Sequence, residues 1–212
     1  KRILKKHNSC IGIPEYRYSI DPDGLISFLN INKSNWSPYV YHKSHQRLFN
    51  LLSNLGYGGK LSKLFSYSYR KLKLDNVISY NIFPQYFGST ISKYSPNYSK
   101  LLRNLNSELS KFSYNGNWNG SGFLEKNHIY FQSNQNIVDV EKALSKFWND
   151  FINDVCSKYK STHFIDDNPW NILYIKEIQE LIPDLKFVHV IRDPRDVVAS
   201  YLGVRWAPNK ID

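Results

Sequence analysis

Between Thr162 and Tyr201 the chain carries two strand–turn–helix units of the same build, and this repetition restricts the fold more than any other feature. Thr162-His-Phe-Ile-Asp166 predicts a strand, and Asn168-Pro169 supplies a helix cap followed by a proline in the first turn, where no hydrogen bond is lost. The helix expected from Pro169 to Ile182 buries Ile172, Leu173, Ile178, Leu181 and Ile182 before Pro183-Asp184 breaks it. Lys186 to Ile191 predicts a second, buried strand; after a short turn a second helix starts at Pro194, with Asp193 as its cap. Strand, helix and strand in this order make a βαβ crossover, which requires parallel strands and a right-handed connection. Helices cover both faces of a parallel sheet. The expected class is therefore α/β, a three-layer arrangement of parallel sheet flanked by helices.

Arg192 falls where the second strand ends, the edge at which ligands gather in open α/β sheets. Ser200 lies two turns into the following helix, on the side of Asp193. An arginine fork and a hydroxyl converging beside a helix start suit a phosphate group. The run Arg192-Asp-Pro-Arg-Asp-Val-Val-Ala-Ser200-Tyr resembles the 3′-phosphate-binding segment of sulfotransferases that use 3′-phosphoadenosine 5′-phosphosulfate. The resemblance implies that Arg192 and Ser200 hold the 3′-phosphate. Arg195 is a candidate for a further contact to that phosphate or to the adenine side, with solvent exposure or pairing to an Asp as the alternatives. The resemblance also implies a P-loop-like layout and a reaction without metal. A plain capped turn with its arginine in a surface ion pair is the competing reading.

Sulfuryl transfer needs cations and donors around the nucleotide and one base near the acceptor. The segment Ile13-Pro-Glu-Tyr-Arg17 is similar to the Glu-Glu-Thr-Arg segment of tyrosylprotein sulfotransferases, whose second Glu is the base. On that resemblance Glu15 is the catalytic base, with Arg17 matching at the same spacing; a Glu15–Arg17 surface pair is the alternative. Relatives carry Lys-Thr-Pro or Asn-Lys-Asp-Pro at the first strand end, and the lysine helps neutralise the transferring group. Here the segment reads Asp166-Asp167-Asn168-Pro169, so Asp167 stands in the lysine position. A carboxylate cannot stabilise developing negative charge, so that role moves elsewhere or is lost.

The expected reaction moves a sulfuryl group to a hydroxyl acceptor such as a carbohydrate, a tyrosine or a small metabolite. A nucleoside or nucleotide kinase of similar architecture is one rival; it asks for Walker-type glycines and acidic Mg²⁺ ligands, which only Asp166 and Asp167 suggest. A non-catalytic nucleotide-binding relative is the other, suggested by Asp167. The Gly-rich loop that would hold the 5′-phosphosulfate has no match in these 212 residues. With no Met and a Lys at the first position, the chain reads as one sulfotransferase-like domain, 1–212, truncated at both ends.

Net charge of +10 favours anionic partners such as the nucleotide. The charge is spread rather than concentrated, so a solvated surface is expected and not a nucleic-acid interface. Cys10 and Cys156 form no Cys-x-x-Cys pair and the six His show no zinc-type spacing, so no metal site is expected. No apolar run approaches the ~18 residues of a membrane span. No leader pattern opens the chain, and a cytoplasmic location is the expectation.

The remaining chain is read more coarsely. Residues 1–7 resemble a helix tail, and Ile11 to Ile20 a strand or extended loop. Residues 26–135 are expected to form a helical insert or lid: a helix from Ser44 to Leu55 capped by Ser44 and stopped at Gly56, a basic amphipathic stretch 59–74, a helix from Tyr98 to Phe112, a loop over 114–122 and a short strand His128 to Gln132. The clearest helix covers 139–159, where Val140, Ala143, Leu144, Phe147, Trp148, Phe151, Ile152 and Val155 follow helical spacing. Trp206 is a candidate to pack beside the nucleotide.

Overall fold

The computed structural model describes residues 7–57, 90–115, 128–131 and 136–203. The stretch before His7, the amphipathic stretch 59–74, most of the loop 114–122 and Trp206 lie outside the described residues. In chain order the elements are β1 (Cys10–Gly12), α1 (Leu25–Ser34), α2 (Pro38–Tyr57), a 3₁₀ turn (Ile91–Lys93), α3 (Tyr98–Leu109), β2 (Phe112–Asn115), β3 (His128–Phe131), α4 (Ile137–Tyr159), β4 (His163–Ile165), a second 3₁₀ segment (Pro169–Tyr174), α5 (Ile175–Leu181) and α6 (Pro194–Leu202).

The core forms around α4. Its buried stripe of Val140, Ala143, Leu144, Phe147, Trp148, Phe151 and Val155 meets Leu25, Phe28 and Leu29 of α1, Leu48 and Leu52 of α2, and Tyr98, Leu102, Leu105 and Leu109 of α3 in one continuous hydrophobic cluster. The stretch expected as an insert thus shares its core with α4. Tyrosines pin this packing because each buried ring brings a hydroxyl that must find an acceptor. Tyr41 donates to the Leu109 carbonyl at 2.9 Å and Tyr98 to the Leu52 carbonyl at 3.0 Å.

Charged groups complete the helix ends. Asn97 stands at the start of α3 without a capping bond of its own, and Asp154 of α4 serves instead. That carboxylate accepts from Asn97 N at 3.0 Å, from Asn97 Nδ2 at 2.7 Å and from the Ser95 hydroxyl. Lys33 at the end of α1 reaches Glu141 of α4 and Glu180 of α5, joining three helices. Helix α4 stops at Lys160, whose left-handed backbone (φ 51°) lets its N–H close back on the carbonyls of Cys156 and Ser157.

Two of the expected helix boundaries are corrected. The helix predicted from Ser44 begins at Pro38, and Ser44 sits inside it, donating to the Tyr41 carbonyl at 3.0 Å. Gly56 does not stop it. The glycine lies within α2 because the Tyr98 ring occupies the space where a side chain would be, 2.8 Å from Tyr98 Cδ1 to a Cβ built there.

The sheet is smaller than expected. β1 and β4 pair in parallel, with Cys10 opposite His163, Ile11 opposite Phe164 and Gly12 opposite Ile165. β2 and β3 form a separate antiparallel pair. The described residues therefore give a helix-rich α/β chain with a two-stranded parallel sheet, and no three-layer sheet is seen among them.

The predicted buried strand from Lys186 to Ile191 is the main correction. The segment forms no ladder, and Val188, Val190 and Ile191 are 75%, 74% and 82% exposed. A strand apolar on both faces is buried only when flanked by neighbours and covered by helices. Among the described strands β4 pairs with β1 alone, so nothing here supplies that cover. The connecting helix is also shorter than expected. Pro169–Tyr174 winds as 3₁₀, which leaves Leu173 64% exposed and Ile172 exposed, while Ile178 and Leu181 of α5 are buried as predicted. The Ser145 hydroxyl of α4 donates to the Leu181 carbonyl at 2.6 Å and fixes the end of α5 to the core.

Candidate functional site

The parallel pairing of β1 and β4 brings their carboxyl ends to one edge. Beyond Gly12 the chain runs through Ile13 and Pro14 to Glu15; beyond Ile165 it runs into Asp166, Asp167 and Asn168. The sequence then alternates. Tyr16 and Tyr18 are buried while Glu15 and Arg17 are exposed, so two aromatic anchors turn the alternating charged residues outward. The Tyr16 ring meets Tyr94 edge-on at 6.3 Å, and the Tyr18 ring meets Trp148 and Phe151 of α4 at 5.8 and 5.4 Å.

Tyr18 is held in place at this edge by a buried hydrogen bond. Its hydroxyl accepts the Trp148 Nε1–H at 3.0 Å. Burial pushes the phenol well above its ordinary pKa, and the Asp166 charge raises it further. Tyr18 therefore stays a neutral hydroxyl, within the field of a half-buried carboxylate at the sheet edge. Asn168 is buried and caps the 3₁₀ segment, its Oδ1 accepting Trp170 N–H at 3.1 Å, as the Asn-Pro pair predicted.

The second group lies on the exposed segment that leads into α6. Asp193 caps α6 as expected: its Oδ1 accepts Arg195 N–H at 2.9 Å, and Pro194 occupies the first turn. The same carboxylate takes a fork from the Arg195 guanidinium, Nε to Oδ1 at 3.1 Å and Nη2 to Oδ2 at 2.7 Å. That fork, and then the backbone N–H, hold the Asp193 carboxyl below its ordinary value. Arg192 and Ser200 are exposed and make no hydrogen bond or ion pair through their side chains with another described residue. No residue of α6 is buried, and the helix has no extensive contact with another described element.

The predicted residues thus fall into two groups. Glu15 follows β1, and Asp166 and Asp167 follow β4, at one edge of the sheet; Arg192 precedes α6, Arg195 lies in its first turn and Ser200 lies two turns along it. His189 is exposed beside Phe187, with ring centroids 6.4 Å apart. His163 is exposed as well, its Nδ1 within 2.8 Å of the Thr162 hydroxyl. Cys10 and Cys156 are both free thiols. Among the described residues no cluster of His, Cys, Asp or Glu has the make-up of a metal site, and no helix is long and apolar enough to cross a membrane.

Sequence reasoning does not single out Tyr18, although the alternation Glu15-Tyr-Arg-Tyr18 is a readable signal of an anchored strand end. The Asp193–Arg195 fork is the Asp pairing given among the alternatives for Arg195, and the Asp-Pro-Arg order makes it.

Chemically, a free guanidinium beside a capped helix start, with a hydroxyl two turns along, can take a phosphate dianion. An exposed carboxylate at the sheet edge can take a proton. A family model described as the sulfotransferase family matches residues 85–211, more than half of the chain. The match includes Asp166–Asn168 and Arg192–Ser200, and Glu15 lies outside it. No curated protein and no solved structure matches the chain.

Proposed function

The chain belongs to the sulfotransferase family, and on that premise we propose that it transfers a sulfuryl group from 3′-phosphoadenosine 5′-phosphosulfate to a hydroxyl acceptor. The observation that carries the reading is the state of Arg192, an exposed guanidinium with no partner among the described residues, set against the Asp193-capped start of α6. In this reading Arg192 and Ser200 hold the 3′-phosphate of the nucleotide. A chain carrying this function would complete a three-layer sheet, with the exposed segment 187–191 as one of its strands.

The chemistry asked of this chain is modest. The acceptor oxygen forms a bond to sulfur as the bond from sulfur to the bridging phosphate oxygen breaks, and that electron pair leaves with the nucleotide. The acceptor proton goes to the Glu15 carboxylate. Positioning and charge stabilisation supply most of the rate in such in-line transfers. Asp167 adds no stabilisation to the leaving group, so in this reading the neutralising cation comes from another part of the chain.

The direct test is incubation of the full-length protein with sulfur-labelled donor nucleotide and a panel of carbohydrate, phenol and alcohol acceptors. Label appearing in an acceptor with stoichiometric release of adenosine 3′,5′-bisphosphate is the expected result. Nucleotide binding without transfer across the panel would leave only a binding protein, and phosphate transfer from ATP would replace the reading with a kinase.

A further inference from the structure

Arg192 and Arg195 stand three residues apart in one turn and are in opposite electrostatic states. Arg195 commits its Nε and Nη2 to Asp193 at 3.1 and 2.7 Å, while Arg192 has no hydrogen bond or ion pair through its side chain with a described residue. Asp193 has a separate duty, since its Oδ1 also accepts the Arg195 N–H that opens α6. An asparagine or serine would cap equally well. A capping aspartate brings a full negative charge to the residue next to Arg192, where it opposes any incoming anion. The turn contains two arginines and two aspartates, Asp196 being the second, so loss of Arg195 leaves it with an excess negative charge.

We propose that Arg195 is a positioning residue that neutralises the Asp193 carboxylate, so that Arg192 alone meets the phosphate. The inference rests on the reading of Arg192 and Ser200 as the 3′-phosphate site. It removes Arg195 from the ligand contacts and gives it a role that acts through another side chain. The fork supplies the geometry for this. Both oxygens of Asp193 are engaged by Arg195, and Arg195 is itself 90% exposed, so its charge is spent locally on one partner.

The test is a double-mutant cycle on the full-length chain, with binding of adenosine 3′,5′-bisphosphate measured by calorimetry at low and moderate salt. Arg195→Ala should weaken binding about three- to fivefold, and more at low salt, as expected for an uncompensated surface charge. Asp193→Asn, which keeps a capping side chain, should not weaken binding. The double variant Asp193→Asn with Arg195→Ala should return to within about twofold of the parent, because the charge to be neutralised is gone. Adenosine 5′-phosphate, which lacks the 3′-group, should show none of these differences. An Arg195→Ala loss that persists in the Asp193→Asn background would make Arg195 a direct contact and overturn the inference, and so would an unchanged affinity for Arg195→Ala. Failure of the underlying reading has a different signature: the parent does not bind the bisphosphate, or Arg192→Ala leaves its affinity unchanged.

Discussion

The ring of Tyr98 fills the place where Gly56 would carry a side chain: a Cβ at residue 56 would stand 2.8 Å from Tyr98 Cδ1, inside van der Waals contact. Tyr98 cannot give way easily, because its ring is fully buried and its hydroxyl is held by the Leu52 carbonyl. Gly56→Ala therefore overpacks the α2–α3 contact, even though alanine favours the helix by about 1 kcal/mol over glycine. The net expectation is a loss of about 1–3 kcal/mol, read as a lower urea midpoint with an unchanged slope. Gly56→Ala at parental stability would show that α3 shifts without cost.

His45 makes stability depend on pH. It sits buried in α2 between the Tyr41 ring and the Phe49 ring, with Ser110 Oγ 3.2 Å from its Nε2. Burial, and then the neighbouring His42, lower its pKa to about 4, partly opposed by Asn106. The unfolded chain takes up the His45 proton near its ordinary value of about 6.5. Above that pH the group is neutral in both states and has no effect. As pH falls toward 4 the unfolded state binds the proton and the folded state does not, so stability declines, and below about pH 4 the loss levels off. About 2 kcal/mol of the difference between pH 7 and pH 5 should come from this group. Urea unfolding at the two pH values should show a smaller difference for His45→Gln than for the parent.

Arg192→Ala should weaken adenosine 3′,5′-bisphosphate binding by about 1.5–3 kcal/mol, the scale of a hydrogen bond to a charged group. Its side chain is exposed and makes no hydrogen bond or ion pair with another described residue, so its thermal unfolding midpoint should match the parent's. Affinity and stability measured on the same sample separate the two effects.

Glu15→Gln should abolish turnover and leave nucleotide affinity intact. Glutamine keeps the size and outward direction set by Tyr16 and Tyr18 but cannot accept the acceptor's proton. A Gln variant with full activity would remove Glu15 as the base.

The parts of this molecule that were legible in its sequence are those decided by local chemistry. The α4 stripe, the Asn168 cap with Pro169, the Asp193 cap with Pro194 and the short β3 strand all follow from spacing or from the demands of a helix end. The misreadings share a different cause. Phe187 to Ile191 has the composition of a buried strand, but burial depends on neighbours that composition does not name. Gly56 has the look of a helix stop, and only the distant Tyr98 explains why it lies inside one. At the candidate site, the Asp193-capped start of α6 was readable because its parts are neighbours in sequence. The β1–β4 edge depends on pairing across 153 residues, Cys10 with His163, and so appeared only in three dimensions.

The exposed run Phe187-Val-His-Val-Ile191 has a consequence for experiments. Four residues of strong β-propensity around His189, with no backbone hydrogen bond to another described residue, form a template onto which other chains can add. Lys186 and Arg192 flank it as basic gatekeepers, the placement by which soluble proteins restrain such segments. While the segment stands exposed, loss of the Arg192 charge removes one of these two gatekeepers. Arg192→Ala should elute from a sizing column with a concentration-dependent shoulder that Arg192→Lys lacks. Its ligand affinity is best compared with the parent's at dilutions where both run as single species.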